Sequence, residues 1–197
     1  MKKILIIVLF FVVIFGVLAY FLFNQNVTNL TKTPLPETKD TDTTDVSVKS
    51  IDFSKVNQEF LFSTEIPKEL EVEYIPQLRV INIYNPNLAG QNNIEKSQIY
   101  ITFFKADKFL TLSTVEITQR DEMIVNGHDA ILYEITKKPG LPNFSGQPSW
   151  RNFKHKALDV RLTASSPSTF YSFAYNPNLP EKVFNNFIDS LVFYTEK

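Results

Sequence analysis

The stretch EMIVNGHDAILYEITKK, residues 122–138, holds the strongest local signal in this chain of 197 residues. Asn126 and Gly127 stand between two runs rich in Ile, Val, Leu and Tyr. A two-residue type I′ turn needs positive φ at both central positions, which asparagine tolerates and glycine takes freely, and its twist matches that of the strands it joins. The sequence therefore predicts an antiparallel hairpin turning at Asn126 and Gly127. His128 with Asp129 would suit a metal phosphohydrolase only with another histidine upstream, and the one other histidine, His155, lies downstream. His128 is better read as part of the turn.

Runs of the same kind recur on both sides. EFLFSTEI (59–66), LRVINIYN (78–85), QIYITFFK (98–105), TLSTVEITQ (111–119), ALDVRLTAS (157–165) and TFYSFAYN (169–176) are rich in aromatic and β-branched residues and bounded by Pro, Asn, Gly or charges. All read as strands. The chain closes differently: in NPNLPEKVFNNFIDSLVFYTEK (176–197), Val183, Phe184, Phe187, Ile188 and Leu191 recur at helical spacing. Pro180 suits the first turn of a helix, and Glu181 complements the positive end of its dipole. A short helix near 67–70 or around 105–110 is a weaker expectation. The fold class is α+β: an antiparallel β-sheet with a C-terminal amphipathic helix packed on it.

Tyr-Asn-Pro-Asn-Leu occurs twice, at Tyr84 to Leu88 and Tyr175 to Leu179, each eight residues after a proline, Pro76 or Pro167. The residues that follow the two copies do not match, so duplication is set aside. Asparagine before proline disfavours helix and ends a strand.

At the other end, residues 4–23 contain no charged or amide side chain. About 20 helical residues rising about 1.5 Å each span roughly 30 Å, the hydrocarbon thickness of a bilayer, whereas a cleaved signal has an apolar core of about 7–15 residues. Cleavage after Ala19 would leave an apolar new terminus at Tyr20. With no cysteine in the chain, lipid attachment to a signal cysteine is excluded. Lys2 and Lys3 precede the span and no cation follows until Lys32, which puts the N-terminus inside. The expected organisation is a cytoplasmic tip at 1–3, a transmembrane signal anchor at 4–23 in contact with membrane lipid, a Thr-, Asp-, Asn- and Pro-rich linker at 24–50, and an extracytoplasmic domain at 51–197. The location expected is the plasma (inner) membrane, single-pass.

The chain carries 20 Lys plus Arg and 21 Asp plus Glu; five and four of these lie in the first fifty residues, which leaves the domain 15 and 17, a formal charge of −2. No nucleic acid is implied. Three Asn-x-Ser/Thr sequons, at Asn26, Asn29 and Asn143, are within what chance gives an Asn-rich chain.

Three segments together resemble the PsbP/Mog1-like α+β domains of many bacterial exported or anchored proteins: FSTEIPKEL (62–70), IVNGHDAILYEI (124–135) and FNNFIDSLVF (184–193). The likeness spans roughly residues 58–194, although Leu70 stands where that pattern more often has tryptophan. It implies an antiparallel sheet flanked by helices and a role in binding or assembly, and it carries over no site residue.

Catalytic signatures are scarce. There is no Gly-x-Ser-x-Gly elbow, no Gly-rich phosphate loop and no Ser-x-x-Lys, and five glycines leave little for such loops. Glu69, Glu71 and Glu73 alternate as a solvated strand face would; same-face neighbours about 7 Å apart are far from the 2.3–2.6 Å that calcium asks of its ligands. No metal or cofactor is expected. The least ordinary stretch is KKPGLPNFSGQPSWRNFKHK (137–156), with two glycines, three prolines and the single tryptophan. Trp150, Arg151, Phe153, Lys154 and Lys156 form a candidate interaction surface for an envelope protein or an anionic polymer. The plainer alternative, which we favour, puts Trp150 in the core and the lysines along an edge strand, guarding it against pairing. The function expected is a non-enzymatic binding or assembly module of the cell envelope. Two alternatives stand beside it: an extracytoplasmic hydrolase using carboxylates, with converging acids in a deep cleft, and a secreted ligand-binding module freed near Ala19.

Overall fold

The computed structural model describes residues 47–90, 92–109 and 113–194. The turn at Asn126 and Gly127 forms as its residue types require, with φ of 48° and 81°. It joins β6 (Val115–Val125) to β7 (His128–Lys137), paired antiparallel from Val125 against His128 outward. The other strands are β1 (Val48–Asp52), β2 (Phe62–Pro67), β3 (Glu71–Ile75), β4 (Val80–Tyr84), β5 (Ser97–Ala106), β8 (His155–Arg161), β9 (Ser168–Tyr175) and β10 (Val192–Phe193). The one helix described, α1, is Glu181–Asp189.

Seven strands make one antiparallel sheet in the order β3-β4-β5-β9-β8-β7-β6, and β1-β2-β10 make a small second sheet. Neither 67–70 nor 105–106 is helical: Pro67 and Leu70 close a tight turn, and β5 runs on through Ala106. β1 takes in Val48, Lys49 and Ser50, the end of the stretch read as linker. The expected anchor at 4–23 lies outside the described residues; among those described, no helix is long and apolar enough to cross a membrane.

Alternation along the central strands gives the large sheet two apolar faces. On one, Ile99, Ile101, Leu158, Val160, Tyr171 and Phe173 pack under α1 and the small sheet. α1 turns Phe184, Phe187 and Ile188 inward, and Phe184 stacks on Tyr175 at 4.6 Å. Fully burying such a side chain is worth about 1.5–3 kcal/mol, so this layer dominates the stability of the domain. The opposite face carries a smaller cluster around Tyr100, Tyr133, Ile135, Trp150 and Ala174. A loop covers that face instead of a helix.

Both Tyr-Asn-Pro-Asn-Leu copies end strands, β4 and β9, on either side of the start of β5. In each the first asparagine accepts the N–H two residues on through its side chain (Asn85 from Asn87, 3.0 Å; Asn176 from Asn178, 2.9 Å). The repeat is one turn chemistry used twice.

Candidate binding cavity

β7 ends at Lys137, and the prolines at 139, 142 and 148 deny the next residues the N–H groups a sheet would need. The chain crosses back over the second face of the sheet and returns to it through a 3₁₀ turn at Ser149–Asn152. Gly146 has φ of 70°, a conformation that favours glycine, and a Cβ there would stand 3.0 Å from Leu78 Cδ2, which would have to give by a few tenths of an ångström. Three hydrogen bonds shape the loop: Tyr100 Oη donates to the Gly146 carbonyl (3.2 Å), Trp150 Nε1 to that of Ser97 (3.0 Å), and the Phe144 N–H to Asn152 Oδ1 (2.9 Å).

Between loop and sheet lies a cavity of about 580 Å3. Val115, Ile135, Phe144 and Ala157 contribute apolar wall; Gln147, Arg151, Asp159 and Ser172 bring polar groups to it. That is the composition of a small-molecule site: mostly apolar, within about 300–1,000 Å3, with a few convergent polar atoms.

Arg151 is half-buried. Its guanidinium carbon lies 5.3 Å from the centre of the Tyr100 ring, while its Nε is closed off from solvent without a hydrogen-bond partner. No ion pair to it forms among the described residues. Burial holds its pKa below the ordinary guanidinium value, with the Tyr100 hydroxyl and Asp159 acting the other way. Gln147 Oε1 is likewise buried and unpaired. Each such atom costs about 1–3 kcal/mol when nothing pairs with it.

Asp159 is 4% exposed, and burial pushes its carboxyl up to about 6 against the opposing pull of the Ser172 side chain and the Arg151 charge. Behind this wall His155 is buried, its Nδ1 2.8 Å from the Phe153 carbonyl, its Nε2 unpaired, and its ring edge-on to Trp150 at 5.4 Å. Burial drives the His155 pKa down to about 4, so the ring is neutral at neutral pH.

The five loop residues singled out from the sequence separate into two groups. Trp150 is 8% exposed and belongs to the core, and Arg151 lines the cavity. Phe153 is 69% exposed, Lys154 Nζ lies 2.7 Å from Glu134 Oε1, and Lys156 pairs with Glu181. The lysines do not guard an edge: β8 is flanked by β7 and β9, because the long β6–β7 hairpin takes the outer position. The alternating acids of β3 are engaged locally. Glu71 accepts from Tyr84 Oη (2.7 Å), and Glu73 accepts from the side-chain amides of Asn82 and Asn93 (3.0 Å each). Asp159, Gln147 and Tyr100 were not legible as site residues. The only hint was an acid at alternate parity inside an apolar run, which reads equally as an outward face.

The fold is similar to that of cyanobacterial PsbP. With the solution structure of that protein from Synechocystis sp. PCC 6803 (CyanoP), the chain shares 10% identity over 76% of its own length and 94% of the other, at a TM-score of 0.45. A crystal structure from Bacteroides thetaiotaomicron VPI-5482 is similar at 13% identity and a TM-score of 0.37, over 69% of this chain and 46% of that one. No protein-family model matches the sequence, and no curated protein does. The similarity to PsbP is one of fold, and no residue is carried across.

Proposed function

We propose that this chain is a single-pass membrane protein whose folded domain is a non-enzymatic binding module on the outer side of the plasma membrane. Residues 4–23 are the anchor, and Lys2 and Lys3 keep the N-terminus in the cytoplasm. The observation that carries the binding role is the cavity of about 580 Å3 into which Arg151 brings a guanidinium with no carboxylate partner. A hydrolase using paired carboxylates needs two acids within several ångströms of each other. Among the residues lining this cavity Asp159 is the one acid.

The anchor is tested by fractionating cells that make the full chain, with protease added to intact cells whose outer layers have been opened. The protein should pellet with membranes, resist an alkaline wash and lose its domain to external protease. Mature chain in the medium beginning at Tyr20, or a domain that protease never reaches, would overturn that half. Binding is tested by melting the purified full chain with and without a small-molecule extract of the envelope. A ligand specific to the native state raises the melting temperature. No rise at any extract concentration would remove the binding role.

A further inference from the structure

We propose that the cavity binds a small organic anion, with Arg151 taking the acid group and the apolar walls taking the body of the molecule. This rests on the binding role proposed above and names its ligand class. A guanidinium drawn partly out of water normally finds a carboxylate, since desolvating a lone cation is expensive. The domain has acids enough, with Glu59 on Arg79, Glu122 on Arg120, Glu134 on Lys154 and Glu181 on Lys156. Arg151 is left out of that pairing, its Nε hidden and unpartnered.

The guanidinium also sits over an aromatic ring, and its neighbours are fixed. Trp150, the residue before it, is fixed by its hydrogen bond to Ser97, and Tyr100 beneath it is fixed by its bond to Gly146. A planar fork of donors held over an aromatic ring is prepared for a carboxylate, sulfonate or phosphate oxygen pair, and that geometry costs little to organise when a ligand arrives. Gln147, which lines the same cavity with its Oε1 unpaired, selects an anion that also presents a donor such as a hydroxyl or amide N–H. Asp159 is the opposing element: a carboxyl on the same wall weakens an anion and so limits the affinity.

The test uses the full chain in lipid nanodiscs, with equilibrium dialysis against 2-naphthalenesulfonate and its neutral counterpart 2-naphthylmethanol, empty nanodiscs being subtracted. The sulfonate should bind at least tenfold more tightly than the alcohol. Arg151→Gln should abolish that preference while leaving the alcohol's binding within a few-fold; Arg151→Lys should restore part of it; Asp159→Asn should strengthen the sulfonate several-fold. The emission of Trp150 establishes that each variant is folded. An alcohol that binds as well as the sulfonate in the unaltered protein sinks the ligand class and leaves the binding role standing. A preference that survives Arg151→Gln in folded protein sinks the assignment to Arg151. If neither compound binds, this inference fails, whereas the binding role falls only if the envelope extract also leaves the melting temperature unmoved.

Discussion

Thr64 and Ser190, 126 positions apart in the chain, share a hydrogen bond of 2.7 Å between their hydroxyls. The Thr64 hydroxyl is 2.7 Å from the Phe187 carbonyl, to which it donates, and Ser190 Oγ accepts the N–H of Glu65 at 3.0 Å. Together these bonds fasten the last turn of α1 to β2, and two residues later the chain pairs with the same strand, Val192 against Ser63 and Phe193 against Phe62. The opening segment FSTEIP and the closing segment DSLVF are thus two halves of one joint.

That joint should be measurable as a coupling. Ser190→Ala leaves the Glu65 N–H without its acceptor and takes one of the Thr64 hydroxyl's two partners, the Phe187 carbonyl remaining, which should cost about 1–3 kcal/mol in urea unfolding. Thr64→Val should cost a similar amount, and the double variant less than the sum by about 1 kcal/mol or more. Additive losses would mean that the two hydroxyls act independently.

The joint also marks how far the sequence could be read. Strand and helix positions were legible because alternation and the 3.6-residue period come from side-chain direction, which is local. The Asn126-Gly127 turn was legible because a backbone conformation selects its residues. That Ser190 meets Thr64 and that β8 lies inside the sheet are facts of pairing across long separations, which no local period records. The cavity was hidden for a related reason. Ala157, Asp159 and Arg161 share one face of β8, and small, acidic and basic residues at alternate positions look like an exposed face unless a loop is known to cover them. The bias of 137–156 toward Pro, Gly and aromatic residues pointed to the right segment, and the core position of Trp150 was the favoured reading, while the place of Arg151 on the cavity waited on the fold.

Two of the three positive-φ glycines, Gly127 and Gly146, should differ in what substitution does to them. At Gly127, φ is 81° and a Cβ would meet nothing within 4 Å, so Gly127→Ala should cost only the backbone term, about 1–2 kcal/mol. For a domain of this size that is a few degrees in melting temperature. At Gly146 the same backbone cost is joined by the 3.0 Å approach to Leu78 Cδ2. Gly146→Ala should therefore melt lower than Gly127→Ala, and only the Gly146 variant should shift the emission of Trp150 to the red and make it easier to quench. Equal effects on both readouts would show that the loop is not held by Gly146.

The pH dependence of stability should show two opposed slopes that the unaltered protein conceals. Burial raises Asp159 from 3.8 to about 6, so the native state holds that proton more tightly than the unfolded chain does. Its contribution therefore falls as pH rises from about 4 to about 6, by up to about 3 kcal/mol. His155 runs the other way: burial lowers it from 6.5 to about 4, so its neutral form is what the fold accommodates. The stability it allows is complete above about 6.5 and is lost as pH falls toward 4, again by up to about 3 kcal/mol. Between pH 4 and 6 the two nearly cancel. Asp159→Asn should leave the histidine slope bare, so that stability relative to the unaltered protein drops on acidification through that window. His155→Gln should leave the aspartate slope, and its relative stability should rise over the same range. Urea unfolding at half-unit steps from pH 4 to 7.5 reads both differences directly. Arg151, whose charge lowers both groups, predicts a further sign: in Arg151→Gln the aspartate transition and the histidine transition should both move to higher pH. Difference profiles that stay flat from pH 4 to 6.5 would mean that neither group is sealed behind the loop, and with that the enclosed wall of the cavity would be lost.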